Sequence, residues 1–208
     1  MPTIARGSPE PVNSDRFDAE YDVITVGGGA AGLASALFSR WHGNSVVLLE
    51  KADELGGTTK KAAFWYWVPN NKAMQAAGME DRKEDCIRYM ARLSRPESYA
   101  PDDPRFGLSD WEYAVCEAIY DNASPATEML AEKGALEYRH CEAVPDYWAE
   151  IPEDKCPTGR VLVPKGARDT MSDGGAVAVR TMSEACTRDG VEIRTGHRVQ
   201  RLVRNDQG

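Results

Sequence analysis

Three glycines, Gly27, Gly29 and Gly32, have the spacing G-x-G-x-x-G, which is typical of loops that bind the pyrophosphate of a dinucleotide. Gly27 would permit a tight turn, and Gly29 would let the backbone approach the phosphates. Gly32 would let a following helix pack close to the preceding strand. The N–H groups and the dipole at the start of that helix favour negative charge. A glycine-rich turn without a ligand is the alternative interpretation.

An acidic residue, Glu50, follows these glycines at the distance expected for ribose recognition, about twenty residues further along the chain. A carboxylate at this place can accept hydrogen bonds from the two ribose hydroxyls. A solvated glutamate beside an ordinary turn is the alternative.

A second glycine pair, Gly56-Gly57, is followed by Thr58-Thr59 and distinguishes between nucleotides. A plain NAD-binding fold needs nothing at this position. In FAD proteins of this kind, the chain after the ribose carboxylate turns back over the pyrophosphate towards the flavin. Glycines allow that close passage, and hydroxyls can bond phosphate. The pair therefore predicts FAD, with an ordinary loop as the alternative.

The elements around these residues form a βαβ pattern. Residues 21–26 and 45–50 are short apolar runs that read as buried strands. Between them, residues 30–42 carry apolar side chains at helical spacing and end at a Gly-Asn stop. A right-handed crossover would make the two strands parallel. The predicted fold is α/β, a Rossmann-like FAD-binding domain with a parallel central sheet.

The rest of the chain is less regular. Helical patterns cover residues 72–93 and 110–133, the second with an expected break near Ser124-Pro125. We therefore expect an insertion of helices and loops at about residues 70–165. A further helix is predicted at 176–189, and two short strands follow it.

The two ends have their own expectations. Residues 1–20 read as a polar, disordered leader, and residues 21–208 as one FAD-binding domain. The final ten residues, "VQRLVRNDQG", read as a strand and a turn without the partner strand of a hairpin. This pattern predicts an incomplete domain, the N-terminal part of a longer flavoprotein.

Composition excludes several classes of function. The formal net charge of −8 argues against nucleic acid, and no apolar run has the length of a membrane span. A secretory signal is absent from the start of the chain, so we expect a cytoplasmic protein. Five cysteines without a CxxC pair and three isolated histidines predict reduced, mostly buried thiols and no metal site.

Three segments carry a family resemblance: "YDVITVGGGAAGLASALFSR", "VVLLEKADELGGTT" and "WVPNN". They resemble the fumarate reductase/succinate dehydrogenase flavoprotein family, and within it the 3-ketosteroid dehydrogenases, which also carry a stretch like "PDYWAEIPEDKCPTGR". Members of the family are longer, so the resemblance covers their N-terminal portion. It implies an FAD domain interrupted by a substrate-capping domain that is absent here.

The resemblance also implies roles for particular residues. Val199 would lie in a strand whose backbone meets the adenine. The proton-handling residue would lie beyond this chain, so the catalytic residues are unknown. Taken together, the predicted cofactor-binding residues are Gly27, Gly28, Gly29, Ala30, Ala31, Gly32, Glu50, Lys51, Gly56, Gly57, Thr58, Thr59, Lys60, Ala63 and Val199.

Two departures from the family pattern are informative. Covalently flavinylated members have a histidine after the glycine pair, where this chain has Lys60 to Ala63, so we expect non-covalent FAD. Steroid dehydrogenases usually show Ser-Gly-Gly where this chain has Ala62-Ala63-Phe64. The aromatic run from Phe64 to Trp67 indicates either an altered flavin-side pocket or core packing.

The chain is predicted to be the FAD-binding portion of an FAD-dependent oxidoreductase that moves a hydride between flavin and a CH–CH or C=C bond, and to be inactive on its own. Its substrate would be a small molecule, a steroid-like compound or an unsaturated acid, with the electron partner left open. A flavin hydroxylase, an amine oxidase and a non-catalytic nucleotide-binding module are the alternatives. Asp146, Tyr147 and Trp148 could face a substrate, although a surface loop anchored by its aromatic rings is the favoured interpretation.

Overall fold

The computed structural model describes residues 17–168 and 171–203. Its first sheet contains three parallel strands in the order β1 (Val23–Val26), β2 (Val46–Leu49) and β6 (Glu192–Arg194). Helix α1 (Ala30–Trp41) connects β1 to β2, and Val23 pairs with Val46 in the register of the two strands. The predicted parallel βαβ unit is confirmed.

The main core lies where α1 and helix α5 (Gly174–Arg188) pack together beside this sheet. Leu33 and Leu37 of α1 and Met182 of α5 are almost completely buried, as is Leu48 of β2. Each such side chain contributes about 1.5–3 kcal/mol through burial. This packing fixes the start of α1 relative to the ends of the parallel strands.

A second sheet lies in the middle of the chain. It is antiparallel, in the order β3 (Tyr66–Trp67), β5 (Val161–Pro164) and β4 (Tyr138–His140). The expectation of only helices and loops at residues 70–165 was therefore incomplete. These strands are two to four residues long, which is too short for an alternating pattern to appear in the sequence.

The predicted helical segment at 72–93 is two helices, α2 (Lys72–Ala76) and α3 (Lys83–Ser94). Asn71 caps α2 by accepting from the Met74 N–H at 2.9 Å. Gly78 then adopts a φ of +71°, which ends the helical path. Residues 80–85 are all charged, so the sequence carries a signal for this break.

Helix α4 (Asp110–Glu132) is continuous through Pro125, so the predicted break there was wrong. Ser109 and Glu112 form a reciprocal capping box at its start. Pro125 removes one N–H donor, and the carbonyl that loses its partner belongs to Asp121. Both residues are exposed, so water can bond that carbonyl and the helix persists.

The predicted second strand near the C-terminus is not formed within the described residues. After β6, residues 195–203 adopt no strand, and Val199 is 37% exposed. No neighbouring strand is available there to pair with this segment among the described residues.

Most of the predicted leader and the Asp-Gln-Gly turn lie outside the described residues. In the part of the chain that the structure describes, no helix is both long and apolar enough to cross a bilayer.

Candidate cofactor site

The turn between β1 and α1 has the geometry that its glycines require. Gly27 has a φ of +101°, a left-handed conformation that glycine adopts without strain, and its N–H donates to the Leu49 carbonyl at 2.8 Å. A Cβ on Gly32 would lie 1.8 Å from the Gly27 carbonyl oxygen. Gly32 therefore permits α1 to start directly against the strand it follows.

Glu50 connects the end of β2 to this turn. Its Oε2 accepts from the Gly28 N–H at 2.7 Å, and its Oε1 accepts from the Ala52 N–H at 2.8 Å. These two N–H groups, Ala52 first, hold the pKa of Glu50 below its usual range. A carboxylate has about four acceptor positions, so about two remain for ribose hydroxyls. Glu50 is buried, with 8% of the residue's surface exposed.

The second glycine pair lies against the first. The Gly56 N–H donates to the Gly28 carbonyl at 2.8 Å, and the Thr59 hydroxyl accepts from the Ala30 N–H at 3.2 Å. Gly56 has a φ of +111°, which permits the reversal of the chain. The structure thus brings together the glycine turn, the acidic residue and the returning segment.

The absence of a side chain at Gly29 leaves space between the glycine turn and the returning segment. A Cβ on Gly29 would lie 3.3 Å from the Thr59 hydroxyl and 3.9 Å from the Gly56 carbonyl, so a side chain would occupy the gap between the two segments. Helix α1 has no acidic residue in its first turn and no side-chain cap at Gly29. Its positive end therefore remains available to an anion.

The other predicted residues lie around this centre. Thr58 precedes a short 3₁₀ turn, Thr59–Lys61, and Lys60 forms an exposed ion pair with Glu54. Ala31 lies in the first turn of α1, Gly57 and Lys51 are exposed, and Ala63 is half-buried. The segment that leads to Val199 begins beside Glu50, because the His197 N–H donates to the Glu50 carbonyl at 2.8 Å. The strand expected to contain Val199 is absent.

Gly174 and Gly175 are structural residues that the sequence analysis missed. A Cβ on Gly174 would lie 2.0 Å from the Ala63 carbonyl, and one on Gly175 would lie 1.9 Å from the Thr59 carbonyl. The Gly175 N–H also donates to the Ala62 carbonyl at 2.9 Å. The start of helix α5 therefore packs directly against the backbone of the returning segment. The sequence signal for this close contact was the pair of adjacent glycines at the start of α5.

The aromatic run divides between two environments. Phe64 and Tyr66 pack against the main core, with ring centroids 5.5 Å apart, whereas Trp65 and Trp67 line a separate cavity. The Tyr66 hydroxyl is buried and has no hydrogen-bond partner among the described residues. Both interpretations of the aromatic run therefore hold: two of its residues pack in the core, and the other two form part of the wall of a cavity.

A buried ion cluster lies behind the second sheet. Arg160 is fully buried and donates to Asp81 at 2.8 and 2.9 Å, to Asp146 at 2.5 Å and to Asp154 at 3.1 Å. Burial raises the pKa of Asp146 and of Asp154.

The loop at 145–148 is anchored by Asp146, while Tyr147 and Trp148 are exposed, so the expected anchoring by aromatic rings was wrong. In the sequence, the signal that could have indicated this ion cluster was Arg160, which directly precedes the apolar run of β5.

Metal and thiol chemistry receive no support from the geometry. Within residues 17–168 and 171–203, no group of three or more His, Cys, Asp or Glu side chains could hold a metal ion. The five cysteines are free thiols, four of them buried. Burial raises the pKa of Cys156 to about 11 and that of Cys186 to about 12, so both stay protonated at neutral pH.

The parallel sheet, the glycine turn and the Glu50 carboxylate beside it are the features of a dinucleotide-binding α/β fold. The chain belongs to the family described as FAD binding domain, whose model matches residues 22–208. This membership indicates FAD as the nucleotide and confirms the predicted family resemblance.

Individual relatives agree with this assignment. The chain is 35% identical over 144 residues to the 4-oxocyclohex-2-ene-1-carboxylate 5-dehydrogenase of Sinomonas cyclohexanicum, covering 69% of this chain and 22% of that protein. It is 32% identical over 149 residues to the 3-oxosteroid 1-dehydrogenase of Mycolicibacterium smegmatis, covering 70% and 23%. The structure of a flavocytochrome c3 fumarate reductase aligns with a TM-score of 0.64 at 20% identity, over 89% of this chain and 28% of that one. The two curated relatives are thus matched over less than a quarter of their length.

Proposed function

We propose that the chain binds FAD non-covalently and is the FAD-binding part of an oxidoreductase acting on CH–CH or C=C bonds. The observation that carries the proposal is the double contact of Gly28, which donates to Glu50 and accepts from Gly56. This contact joins the pyrophosphate turn, the ribose carboxylate and the flavin-directed segment in one site.

Each group has a separate role in the proposed binding. The acceptor positions that remain on Glu50 would take the ribose hydroxyls. Gly29 and the start of α1 would face the pyrophosphate, and the proton of the Thr59 hydroxyl can donate to a phosphate oxygen because its oxygen accepts from Ala30. A 2′-phosphate would meet the Glu50 carboxylate, so NADP should bind poorly. The segment from Lys60 to Ala63 has no histidine for a covalent link.

FAD supplies hydride transfer when it is bound, and the protein supplies orientation and electrostatics. The two named dehydrogenases act on cyclic oxo compounds, and the third match is a fumarate reductase. We therefore propose a steroid-like or other cyclic ketone, or an unsaturated acid, as the substrate class. The compartment that we propose is the cytoplasm. No residue of this chain is assigned to proton transfer.

Binding is tested by titrating the purified chain into FAD and following flavin fluorescence, with FMN as the matched control. FMN lacks the AMP part of FAD, with the adenosine ribose and one of the two phosphates that the site would hold, so FAD should bind much more tightly. Glu50→Ala should weaken FAD binding by about 1.5–3 kcal/mol, and Gly29→Val should abolish it. Equal affinities for FAD and FMN would contradict the proposed site. Acid precipitation should release all of the flavin, and flavin retained in the pellet would show a covalent link.

Activity is tested separately with the FAD-loaded protein. A 3-oxosteroid, a 4-oxocyclohexanecarboxylate and fumarate are offered in turn, and bleaching or reoxidation of the flavin absorption is followed without oxygen. A response to one of these compounds supports the proposed reaction class. FAD binding without any response would restrict the function of this chain to nucleotide binding.

A further inference from the structure

The buried ion cluster around Arg160 contains more negative than positive charge. Its carboxylates belong to Asp81, Asp146 and Asp154, and at most 1% of each of these side chains is exposed. In the part of the chain that the structure describes, Arg160 is the one cation that forms ion pairs with them. Three ionised carboxylates and one guanidinium would leave a net charge of −2, since 1 − 3 = −2. A buried carboxyl group relieves such an excess by taking up a proton.

Two of the three carboxylates are well bonded in their ionised form. Asp81 accepts from Arg160 at 2.8 and 2.9 Å, and from the Asn70 N–H at 2.9 Å. Asp146 accepts from Arg160 at 2.5 Å with one oxygen and from Trp67 Nε1 at 2.9 Å with the other. Both oxygens of each group therefore receive a donor, and hydrogen bonds to the charged form favour that form.

Asp154 is bonded differently. Its Oδ1 accepts from Arg160 at 3.1 Å and from the Cys156 N–H at 3.2 Å, which are longer than the bonds to the other two carboxylates. Its Oδ2 is buried and has no hydrogen-bond partner among the described residues. An ionised oxygen would lose its hydration at this position without replacement, whereas a neutral carboxyl carries no charge to be hydrated. Asp154 is therefore the carboxyl group for which a proton costs least.

The other groups around the cluster supply no positive charge. Arg92 of α3 pairs with the neighbouring Glu153 at 3.8 Å. Within residues 17–168 and 171–203, no group of side chains could hold a metal ion. Burial raises the pKa of each remaining titratable neighbour, so these stay neutral at neutral pH: Cys86, Tyr89, Tyr120 and Cys156.

The cluster anchors one segment of the chain, residues 145–158. Pro145 and Thr158 form a β-bridge at its two ends, and the Asp146 N–H donates to the Pro157 carbonyl at 2.9 Å. Asp146 and Asp154 both lie in this segment and both bind the same nitrogen of Arg160. A change of charge on Asp154 therefore acts directly on the contact that holds the segment.

We propose that Asp154 holds a proton in the folded chain and that this proton makes the anchoring of residues 145–158 sensitive to pH. With the proton bound, the net charge of the cluster is −1, since 1 − 2 = −1. Loss of the proton returns it to −2 and favours release of the segment from Arg160. The proposal does not depend on FAD binding, so each can fail without the other.

The pH dependence has a defined sign. Burial raises the pKa of Asp154 above its unfolded value of about 3.9. The stability that a carboxyl with a raised folded pKa provides is complete below the unfolded value and is lost as the pH rises through the folded value. Between the two values, the unfolding equilibrium constant of the wild type should rise by up to about tenfold per pH unit relative to a variant that is neutral at this position.

The test compares the wild-type chain with Asp154→Asn, which is neutral at every pH and keeps an acceptor oxygen for Arg160 and Cys156. Asp102→Asn is the matched control, because it changes the net charge equally at an exposed position. Urea denaturation is followed by circular dichroism from about pH 4, near the unfolded pKa, to alkaline pH. We expect Asp154→Asn to unfold at the wild-type urea concentration in acid and at a higher concentration at neutral pH. The control should follow the wild type throughout.

Two further measurements on the same proteins separate the proton from the anchoring. In carbon NMR of the wild type, the carboxyl carbon of Asp154 should titrate at a higher pH than that of the exposed Asp102. Trypsin should cleave after Lys155, which lies inside the segment, faster in the wild type than in Asp154→Asn at neutral and alkaline pH.

Three results would overturn the proposal. The first is an Asp154→Asn variant less stable than the wild type at neutral pH, because Asp154 would then be bound as a carboxylate. The second is an Asp154 carbon resonance that titrates together with that of Asp102. The third is equal cleavage of the two proteins after Lys155, because the proton would then have no effect on the segment.

Discussion

Removal of the Glu50 carboxylate should destabilise the chain even without any nucleotide. Two backbone N–H groups, those of Gly28 and Ala52, donate to it at 2.7 and 2.8 Å. A hydrogen bond to a charged group is worth about 1.5–3 kcal/mol, so Glu50→Ala should lower the free energy of unfolding by about 3 kcal/mol or more. This loss is a large part of the usual total of about 5–15 kcal/mol.

Glu50→Gln should give about half of that loss, because its amide keeps one acceptor and replaces the other by a donor. The effect also has a defined pH dependence. The two N–H groups lower the pKa of Glu50 in the folded state. A carboxyl with a lowered folded pKa stabilises the protein above its unfolded pKa of about 4.3, and this contribution disappears as the pH falls through the folded value. The difference between wild type and Glu50→Gln should therefore be complete at neutral pH and shrink in acid.

Urea denaturation followed by circular dichroism measures these differences in the absence of FAD. Glu54→Ala is the control, because the Glu54 side chain is 74% exposed and forms only a surface ion pair with Lys60. Such pairs contribute at most about 1 kcal/mol. The proposed role of the carboxylate is refuted if Glu50→Ala is no less stable than Glu54→Ala at neutral pH.

Four further substitutions probe other contacts. Gly32→Ala should disrupt the packing of α1 on β1, because its Cβ would lie 1.8 Å from a carbonyl oxygen. Gly29→Ala should keep the fold and weaken only FAD binding, so circular dichroism and flavin titration should separate the two variants. Tyr66→Phe should raise the free energy of unfolding by about 1 kcal/mol in urea, because it removes a buried hydroxyl that has no partner among the described residues. Arg160→Met should lower that free energy by about 3–5 kcal/mol by leaving three aspartates around an uncharged side chain, and a melting temperature unchanged from wild type would contradict this.

The βαβ unit could be predicted because its determinants are local. The apolar runs fix two strands, and the spacing of Gly27, Gly29 and Gly32 fixes the turn between the first strand and the helix. A short right-handed crossover then leaves parallel pairing as the outcome. The contact of Gly56 with Gly28 also follows from a local signal, because two glycines after an acidic residue permit the chain to return.

The second sheet and its ion cluster could not be predicted in the same way. Asp81, Asp146 and Asp154 lie at unrelated spacings from Arg160, and each reads in the sequence as an ordinary surface residue. They become partners only when β5 pairs with β3 and β4 and brings the intervening loops together. The contacts of Arg160 with these aspartates thus join residues far apart in the sequence, and no periodic pattern in the sequence indicates them.

Phe64 is a non-glycine residue in a backbone conformation that glycine favours. Steroid dehydrogenases usually show glycine here, and Phe64 adopts a φ of +58°, a left-handed conformation that glycine favours. For other residues this conformation costs about 1–2 kcal/mol. Partial burial of the phenyl ring against Tyr66 and the main core offsets part of that cost. The backbone just before Phe64 requires a glycine at position 174, because a Cβ there would approach the Ala63 carbonyl oxygen to 2.0 Å. Gly174 in α5 therefore accommodates the backbone that leads into Phe64, whatever side chain stands at position 64.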